Sequence, residues 1–121
     1  CIDYKINVEF PNNSNLQPND ICSILANLLD NAIEACNRNL KKNNKWINIT
    51  IRITNAMLIF KIENGNEIKP KIQNMHFITS KKENQFHGWG LKSVENVITK
   101  YQGNMTYAIK QNSFQIIILL N

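Results

Sequence analysis

The sequence lacks any long hydrophobic run. No apolar stretch in its 121 residues approaches the roughly 20 residues that a membrane-spanning helix needs. The first residues also lack the pattern of a signal peptide. We therefore expect a water-soluble cytoplasmic domain that makes no membrane contact of its own. Because the first residue is Cys1 and not Met, we expect this domain to be a fragment of a longer protein.

The sequence also lacks paired cysteines and a clustered basic patch. Its three cysteines form no CxxC pair, which predicts reduced thiols, with Cys22 and Cys36 near the buried side of a helix. The net charge is +5, a value that admits an anionic partner. The cations are dispersed, however, so we expect no nucleic-acid partner.

Alternating apolar and polar residues predict that the chain begins with a half-buried strand. Its apolar positions are Ile2, Tyr4, Ile6, Val8 and Phe10. Helical spacing over residues 20–36 then predicts an amphipathic helix capped by Asn19 or Asp20. Alternation returns on both sides of residues 54–56, which predicts a β-hairpin.

The second half of the sequence predicts a long polar connection, a helix and two more strands. The connection, residues 64–87, holds at most one short helix at 72–77, and loops of this length tend to be functional lids. A helix follows from Leu91 and ends at a Gly103 C-cap, and the last strand is apolar on both faces and thus interior. Because helices and strands do not alternate regularly, we expect one α/β (α+β) two-layer sandwich over residues 1–121.

Two features of this pattern could carry chemistry. Asn27 and Asn31 lie one turn apart on the polar face of the first helix, although Asn is a poor helix former. Asn31 offers a neutral oxygen that Mg²⁺ accepts beside phosphates, or it caps a loop. Gly88 and Gly90 precede the second helix, where they form either an anion cradle or a tight turn.

These motifs together carry a family resemblance. Residues 27–32 read Asn-Leu-Leu-Asp-Asn-Ala, and the segment that begins at His87 reads His-Gly-Trp-Gly-Leu-Lys-Ser-Val. With the strand that ends at Asn64 and Gly65, they resemble the N box, G2 box, degenerate G1 region and lid of GHKL ATP-binding domains. The residues of the two motifs are most similar to those of sensor histidine kinases of the Agr-type peptide-pheromone quorum-sensing group.

The resemblance implies a Bergerat fold, which is a mixed and mostly antiparallel sheet covered on one face by helices, with a nucleotide lid. It implies that ATP and Mg²⁺ bind and that the γ-phosphoryl group is transferred to a histidine. That histidine would lie on a separate dimerisation domain of the same full-length protein, and a response regulator would be a further partner. We expect this fragment to be monomeric and its full-length parent to be a homodimer anchored in the cell membrane.

Residue roles follow from the same resemblance. Asn31 would hold the metal and Asn27 would support the phosphate side, so both count as catalytic candidates, and Asn64 would meet the adenine amino group. The remaining nucleotide-binding candidates are Gly65, His87, Gly88, Trp89, Gly90 and Leu91.

The sequence departs from the family pattern in ways that bear on function. The usual Asp-x-Gly-x-Gly is reduced to Asn64-Gly65-Asn66, so a neutral amide would read the adenine, and Trp89 puts a bulky ring between two glycines. Asn27 stands where hydrolysing relatives have a Glu general base, which favours a histidine acceptor. The alternative is a degenerate GHKL domain that acts as a regulatory or protein-binding module. Neither His76 nor His87 is expected on an acceptor helix.

Overall fold

The structure, a computed structural model of the whole chain, describes residues 1–9, 16–55, 57–67, 71–73, 76–78 and 84–120, of which 71–73, 76–78 and 84–91 are described by their backbone alone. The strands are β1 (Asp3–Val8), β2 (Trp46–Thr54), β3 (Met57–Gly65), β4 (Lys71–Gln73), β5 (His76–Ile78), β6 (Asn104–Ile109) and β7 (Ser113–Leu120). The helices are α1 (Pro18–Arg38) and α2 (Asn84–Lys100), and a 3₁₀ turn spans Lys42–Asn44.

A five-stranded sheet in the order β1-β2-β3-β7-β6 forms one layer. Only the β1–β2 pair is parallel, whereas β2–β3, β3–β7 and β6–β7 are antiparallel. The predicted two-layer fold with a mixed, mostly antiparallel sheet is therefore confirmed. The hairpin and the interior position of β7 are confirmed as well. Asn55 has a φ of 52° in the hairpin turn, a left-handed conformation that Asn tolerates better than most residues.

The core lies between the helices and one face of the sheet. Alternate residues of β2, β3 and β7 are buried on that face, as the period of a strand requires. Helix α1 contributes a buried stripe at helical spacing, made of Ile21, Ile24, Leu28, Ala32, Ala35 and Cys36. Burial raises the pKa of the Cys36 thiol, which keeps it neutral, whereas Cys22 is exposed. The prediction that Cys22 lies near the buried side is wrong, because the buried stripe passes beside it through Ile21 and Ile24.

Helix α1 begins differently from the prediction. Gln17 is the N-cap and makes no side-chain cap bond, and Pro18 begins the helix, a position where its missing N–H is no loss. Neither Asn19 nor Asp20 caps the helix. Asp20 instead accepts hydrogen bonds from Lys100 Nζ at 2.8 Å and from the Tyr101 hydroxyl, so it joins the start of α1 to the end of α2.

The end of α2 corrects the predicted role of Gly103. The left-handed residue is Gln102, with a φ of 53°, and no described glycine has a positive φ. The N–H of Gly103 donates to the carbonyl of Ile98 at 2.8 Å, which closes the helix. A Cβ at Gly103 would overlap the carbonyl oxygen of Leu119, so this position requires glycine because β7 passes close to it.

Strand β1 confirms the predicted strand but not its predicted burial. All six of its residues are exposed, including Tyr4 at 48%, Ile6 at 60% and Val8 at 38%. These three residues pair with Ile47, Ile49 and Ile51 of β2 and so share the core face. The helices pack on β2, β3, β6 and β7, however, and leave the face of this edge strand uncovered. Phe10 lies outside the described residues.

The long connection contains two short strands in place of the predicted helix at 72–77. Strands β4 and β5 pair antiparallel, with Ile72 opposite Phe77. The β-branched and aromatic residues in this stretch suit strands better than a helix. The expectation of a lid in this connection, residues 64–87, concerns a segment much of which lies outside the described residues. Of the described helices, neither is both long and apolar enough to cross a membrane.

The burial difference between β1 and β2 gives a first prediction. Ile6 and Ile49 are register partners on one face, but Ile49 is 3% exposed and Ile6 is 60% exposed. We expect Ile49→Ala to lower the free energy of unfolding by about 2–5 kcal/mol and Ile6→Ala by about 1 kcal/mol or less. Urea unfolding of both variants measures this difference. Equal losses would mean that β1 is covered in solution.

The contact between the helix ends gives a second prediction, which depends on pH. The hydrogen bond from Lys100 and that from Tyr101 hold the pKa of Asp20 below its ordinary value. A lowered pKa stabilises the fold above the unfolded-state pKa of about 4, and this stability is lost as the pH falls through the folded-state pKa. Asp20→Asn should therefore lower the melting temperature at pH 7, and the two melting curves should converge in acid.

Asp30→Asn is the matched control for this experiment. Asp30 lies on the exposed outer face of the same helix, so its substitution should leave the melting temperature nearly unchanged at every pH. A loss for Asp20→Asn that stays the same at pH 7 and at the most acidic pH where the fold persists would contradict the assignment.

Candidate functional site

Helix α1 carries the two predicted asparagines along the border of its buried stripe. Asn27 and Asn31 are half-buried, whereas Ala26, Asp30 and Asn37 are exposed. Farther along the same side of the helix, Glu34 and Arg38 form an ion pair at 3.8 Å. The carboxamides therefore lie beside the core without being enclosed by it, where a bound group could reach them.

At the end of α1, the side chain of Asn39 joins three parts of the chain. Its Nδ2 donates to the carbonyl of Asn44 at 2.7 Å and to the carbonyl of Gly65 at 2.9 Å. Its Oδ1 accepts from the backbone N–H of Glu67 at 2.9 Å. Asn39 is 2% exposed, so these bonds are shielded from water. We call this set of contacts the Asn39 junction. It holds the end of β3 against the end of α1.

Glu67 completes the Asn39 junction from the other side. Its carboxylate accepts hydrogen bonds from the N–H groups of Leu40 and Lys41 and from Asn44 Nδ2, each at 2.9 Å. The bond from Asn44, followed by the two backbone bonds, holds the pKa of Glu67 below its ordinary value. The charged carboxylate thus satisfies backbone donors in the segment that follows α1.

The end of β3 presents two buried carboxamides on the core face. Asn64 is 5% exposed and Asn66 is 6% exposed. Asn64 Nδ2 donates to the carbonyl of Gly65 at 2.8 Å, the same oxygen that accepts from Asn39. The N–H of Asn66 donates to the carbonyl of Asn112 at 2.9 Å. Asn66 Oδ1 is buried and has no hydrogen-bond partner in the described part of the chain.

Gly65 has a structural reason to be glycine. A Cβ at this position would overlap the carbonyl oxygen of Asn44 and lie 2.9 Å from Trp46 Nε1. The 3₁₀ turn can therefore approach β3 only because position 65 has no side chain. The role of Gly65 beside a nucleotide ring stays a prediction.

The two helices carry the first and last motifs at equal distances from a contact between them. The start of α1 contacts the end of α2 through Asp20 and Lys100. Asn31 and Trp89 are equally many residues from that contact, which corresponds to about 16 Å along each axis at about 1.5 Å per residue.

The start of α2 corrects the predicted setting of those glycines. The helix begins at Asn84 and not at Leu91, so Gly88 and Gly90 lie inside it. Their N–H groups are then within the helical hydrogen-bond ladder and do not form a free cradle. His87, expected before the helix, also lies in it, while His76 lies in β5. The side chains of residues 76 and 87–91 lie outside the described residues.

The metal that the resemblance implies has few charged residues to bind it. Among the described residues no three His, Cys, Asp or Glu side chains could hold a metal ion together. Mg²⁺ keeps several waters and needs only one or two protein oxygens beside phosphates. The half-buried carboxamide of Asn31 fits such a ligand. The sequence did not indicate Asn39 or Glu67, since neither belongs to a recognisable motif.

The Asn39 junction gives a third prediction. Asn39→Ala should lower the free energy of unfolding by about 2–4 kcal/mol, because the Asn44 carbonyl and the Glu67 N–H lose their shielded partner. Asn37→Ala, two residues earlier on the exposed face, should change it by about 0.5 kcal/mol or less. Urea unfolding compares the two variants. A similar small change in both would show that the junction contributes nothing.

Comparison with known proteins supports the two-layer α/β fold described above. A family model described as a GHKL domain matches residues 16–121. No curated protein matches this chain in sequence. The nucleotide-free catalytic domain of histidine kinase ThkA matches with a TM-score of 0.70 and 21% identity, over 98% of this chain and 78% of that one.

Two larger histidine kinase structures match as well. Acinetobacter baumannii histidine kinase AdeS gives a TM-score of 0.67 at 20% identity, over 98% of this chain and 53% of that chain. The histidine kinase domain of the Erythrobacter litoralis EL346 blue-light activated histidine kinase gives 0.71 at 9% identity, over 98% and 54%. The present chain thus spans about half the length of these two. By its family match and its sheet, the chain belongs to the GHKL family and has the Bergerat fold of histidine kinase catalytic domains.

Proposed function

We propose that this chain is the ATP-binding catalytic domain of a sensor histidine kinase. It binds ATP with Mg²⁺, and the γ-phosphoryl group passes to a histidine on a separate dimerisation domain. The observation that carries the proposal is the burial of three carboxamides at motif positions. Asn27 and Asn31 are half-buried on α1, and Asn64 is buried at the end of β3.

The end of β3 suits the base. Asn64 is buried, and one N–H of its NH₂ group donates to the Gly65 carbonyl. This bond orients the carboxamide, and Asn64 Oδ1 would accept a hydrogen bond from the amino group of adenine. The Asn39 junction fixes the same carbonyl from behind, so the orientation of Asn64 does not depend on the ligand.

The half-buried asparagines of α1 suit the phosphates. The junction lies at the end of α1, so Asn31 lies about 12 Å back along the helix from Asn39, at about 1.5 Å per residue. Asn27 lies one turn farther. Asn31 would hold Mg²⁺, whose charge would offset that of the phosphate oxygens. Asn27 would donate to the phosphate side.

We assign the backbone of the second motif to the phosphate side as well. Gly88 and Gly90 have no side chains, so α2 would be able to approach the phosphates closely at these two positions. His87, Trp89 and Leu91 complete the proposed nucleotide-binding set.

Asn27 also bears on the acceptor. An amide cannot take a proton from water or from a serine hydroxyl, so this position supplies no general base. A neutral histidine needs none, because its ring nitrogen already carries a lone pair. The arrangement therefore favours transfer to histidine over hydrolysis or transfer to serine.

The residues of the two motifs also indicate the group of kinases to which the full-length protein belongs. We infer a parent of the Agr-type peptide-pheromone quorum-sensing group, a membrane-anchored homodimer that passes the phosphoryl group on to a response regulator.

The second candidate is a degenerate GHKL domain with a regulatory or protein-binding role. It is favoured by the loss of the adenine-binding Asp, replaced here by Asn64, and by the helical setting of Gly88 and Gly90.

Calorimetric titration with a non-hydrolysable ATP analogue, with and without Mg²⁺, tests the proposal. We expect Mg²⁺-dependent binding that Asn31→Ala weakens at least about tenfold, or about 1.4 kcal/mol. Asn37→Ala is the matched control, since it removes an exposed carboxamide from the same helix and should leave binding unchanged. The absence of heat at millimolar analogue, with folded protein, would refute the proposal.

A phosphotransfer assay separates the two candidates. The domain is mixed with ATP, Mg²⁺ and the helical acceptor domain of its own full-length protein. Phosphohistidine that disappears with Asn31→Ala supports the kinase. Tight nucleotide binding without any phosphohistidine supports the regulatory module.

A further inference from the structure

Asn66 is a buried side chain that the proposed reaction has not used. It is 6% exposed, and its Oδ1 has no hydrogen-bond partner in the described part of the chain. A buried carbonyl without a donor destabilises a fold, and native proteins retain few of them. An acceptor kept in this state next to a candidate binding site therefore points to a donor from outside the described part of the chain, such as a bound ligand.

The sheet register shows on which side this acceptor lies. Asn64 is opposite Phe114, and Gly65 is opposite Ser113. The hydrogen bond from the N–H of Asn66 to the Asn112 carbonyl, at 2.9 Å, continues the β3–β7 pairing by one residue. Because side chains alternate between faces along a strand, Asn66 shares the core face with Asn64. The two carboxamides are neighbours on one side of the chain.

The hydrogen bonds of Asn64 determine the polarity of the pair. Its Nδ2 donates to the Gly65 carbonyl at 2.8 Å, and Asn39 Nδ2 reaches the same oxygen at 2.9 Å. Turning the Asn64 carboxamide over would bring its oxygen against a carbonyl oxygen, so the amide is held with Oδ1 free to accept. Asn64 Oδ1 and the unpartnered Asn66 Oδ1 are then two acceptors that the pair can offer to a ligand.

We propose that Asn66 is a specificity-determining residue of the nucleotide site and that, with Asn64, it selects a base with an amino group at position 6 over one with an oxo group. This inference rests on the proposed ATP binding. Two acceptors match the two N–H bonds of the adenine amino group. The oxo group of guanine would instead face two carboxamide oxygens with no proton between them, an arrangement that a buried site rejects strongly.

The test compares two nucleotides on three proteins. Calorimetry with Mg²⁺ measures the affinity of non-hydrolysable analogues of ATP and GTP for the wild type, Asn66→Leu and Asn37→Leu, and thermal melting measures the stability of each. The leucine is close to asparagine in size and cannot accept a hydrogen bond. Asn37 is exposed on α1, so the same replacement there controls for a general effect of leucine.

We expect the wild type and Asn37→Leu to prefer the ATP analogue. Asn66→Leu should bind the ATP analogue about tenfold more weakly, with the GTP analogue little affected, so the preference falls by about the same factor. Its melting temperature without ligand should be equal to or above that of the wild type, because an unpaired buried acceptor has been removed. Opposite changes in stability and affinity would not arise from a merely structural residue.

Three results would overturn the inference. The first is an unchanged ATP-to-GTP preference in Asn66→Leu. The second is an equal loss of affinity for both nucleotides together with a lower melting temperature, which would assign Asn66 to the fold. The third is a wild type that binds the two analogues equally. If the folded wild type binds neither analogue, the proposed function itself fails, and this inference fails with it.

Discussion

The carbonyl oxygen of Gly65 is the contact on which the candidate site depends. Asn39 at the end of α1 and Asn64 at the end of β3 both donate to it. One oxygen with two lone pairs can accept both bonds, so a helix and a strand become fixed to each other at one point. The position of Asn64 relative to α1, and hence to Asn31, follows from this contact. Glu67 extends the arrangement, because its carboxylate binds the two N–H groups after the helix and leads the chain into the long connection.

The site uses neutral amides where charges would be expensive to bury. A buried carboxylate without a cation loses several kcal/mol of hydration, whereas a carboxamide needs only its hydrogen bonds satisfied. Asn39 and Asn64 satisfy theirs largely within the chain. The charged Glu67 lies toward the surface and has three donors around it. At the proposed base-reading position, an Asn therefore suits a site that is held in shape before the ligand arrives. A neutral acceptor binds an amino group less strongly than a carboxylate does.

Local patterns in the sequence predicted the elements that form from residues close together along the chain. Alternation predicted the β2–β3 hairpin and β7, and helical spacing predicted α1 and its buried stripe. Asn27 and Asn31 were predicted on the polar face, and the structure places them half-buried at the border of that stripe. The failures concern contacts between distant residues. Whether β1 is buried depends on whether a helix covers it. Asp20 does not cap α1, because its carboxylate accepts hydrogen bonds from Lys100 and Tyr101. The Asn39 junction joins residues more than twenty positions apart, so no motif could reveal it. The motif resemblance identified the family, whereas the helical setting of Gly88 and Gly90 required the backbone.

Asn27 has a consequence for where the proposed reaction is controlled. Because its amide accepts no proton, the proposed kinase domain would bind and orient a phosphoryl donor without activating the attacking group at this position. The nucleophile must then arrive in its reactive form, which a histidine of ordinary pKa, about 6.5, already has at neutral pH. The rate of phosphoryl transfer would depend on how often the acceptor helix reaches the proposed phosphate site near Asn27 and Asn31. A signal that repositions the acceptor domain could regulate such a kinase without altering its nucleotide site, because positioning supplies most of the catalysis in phosphoryl transfer.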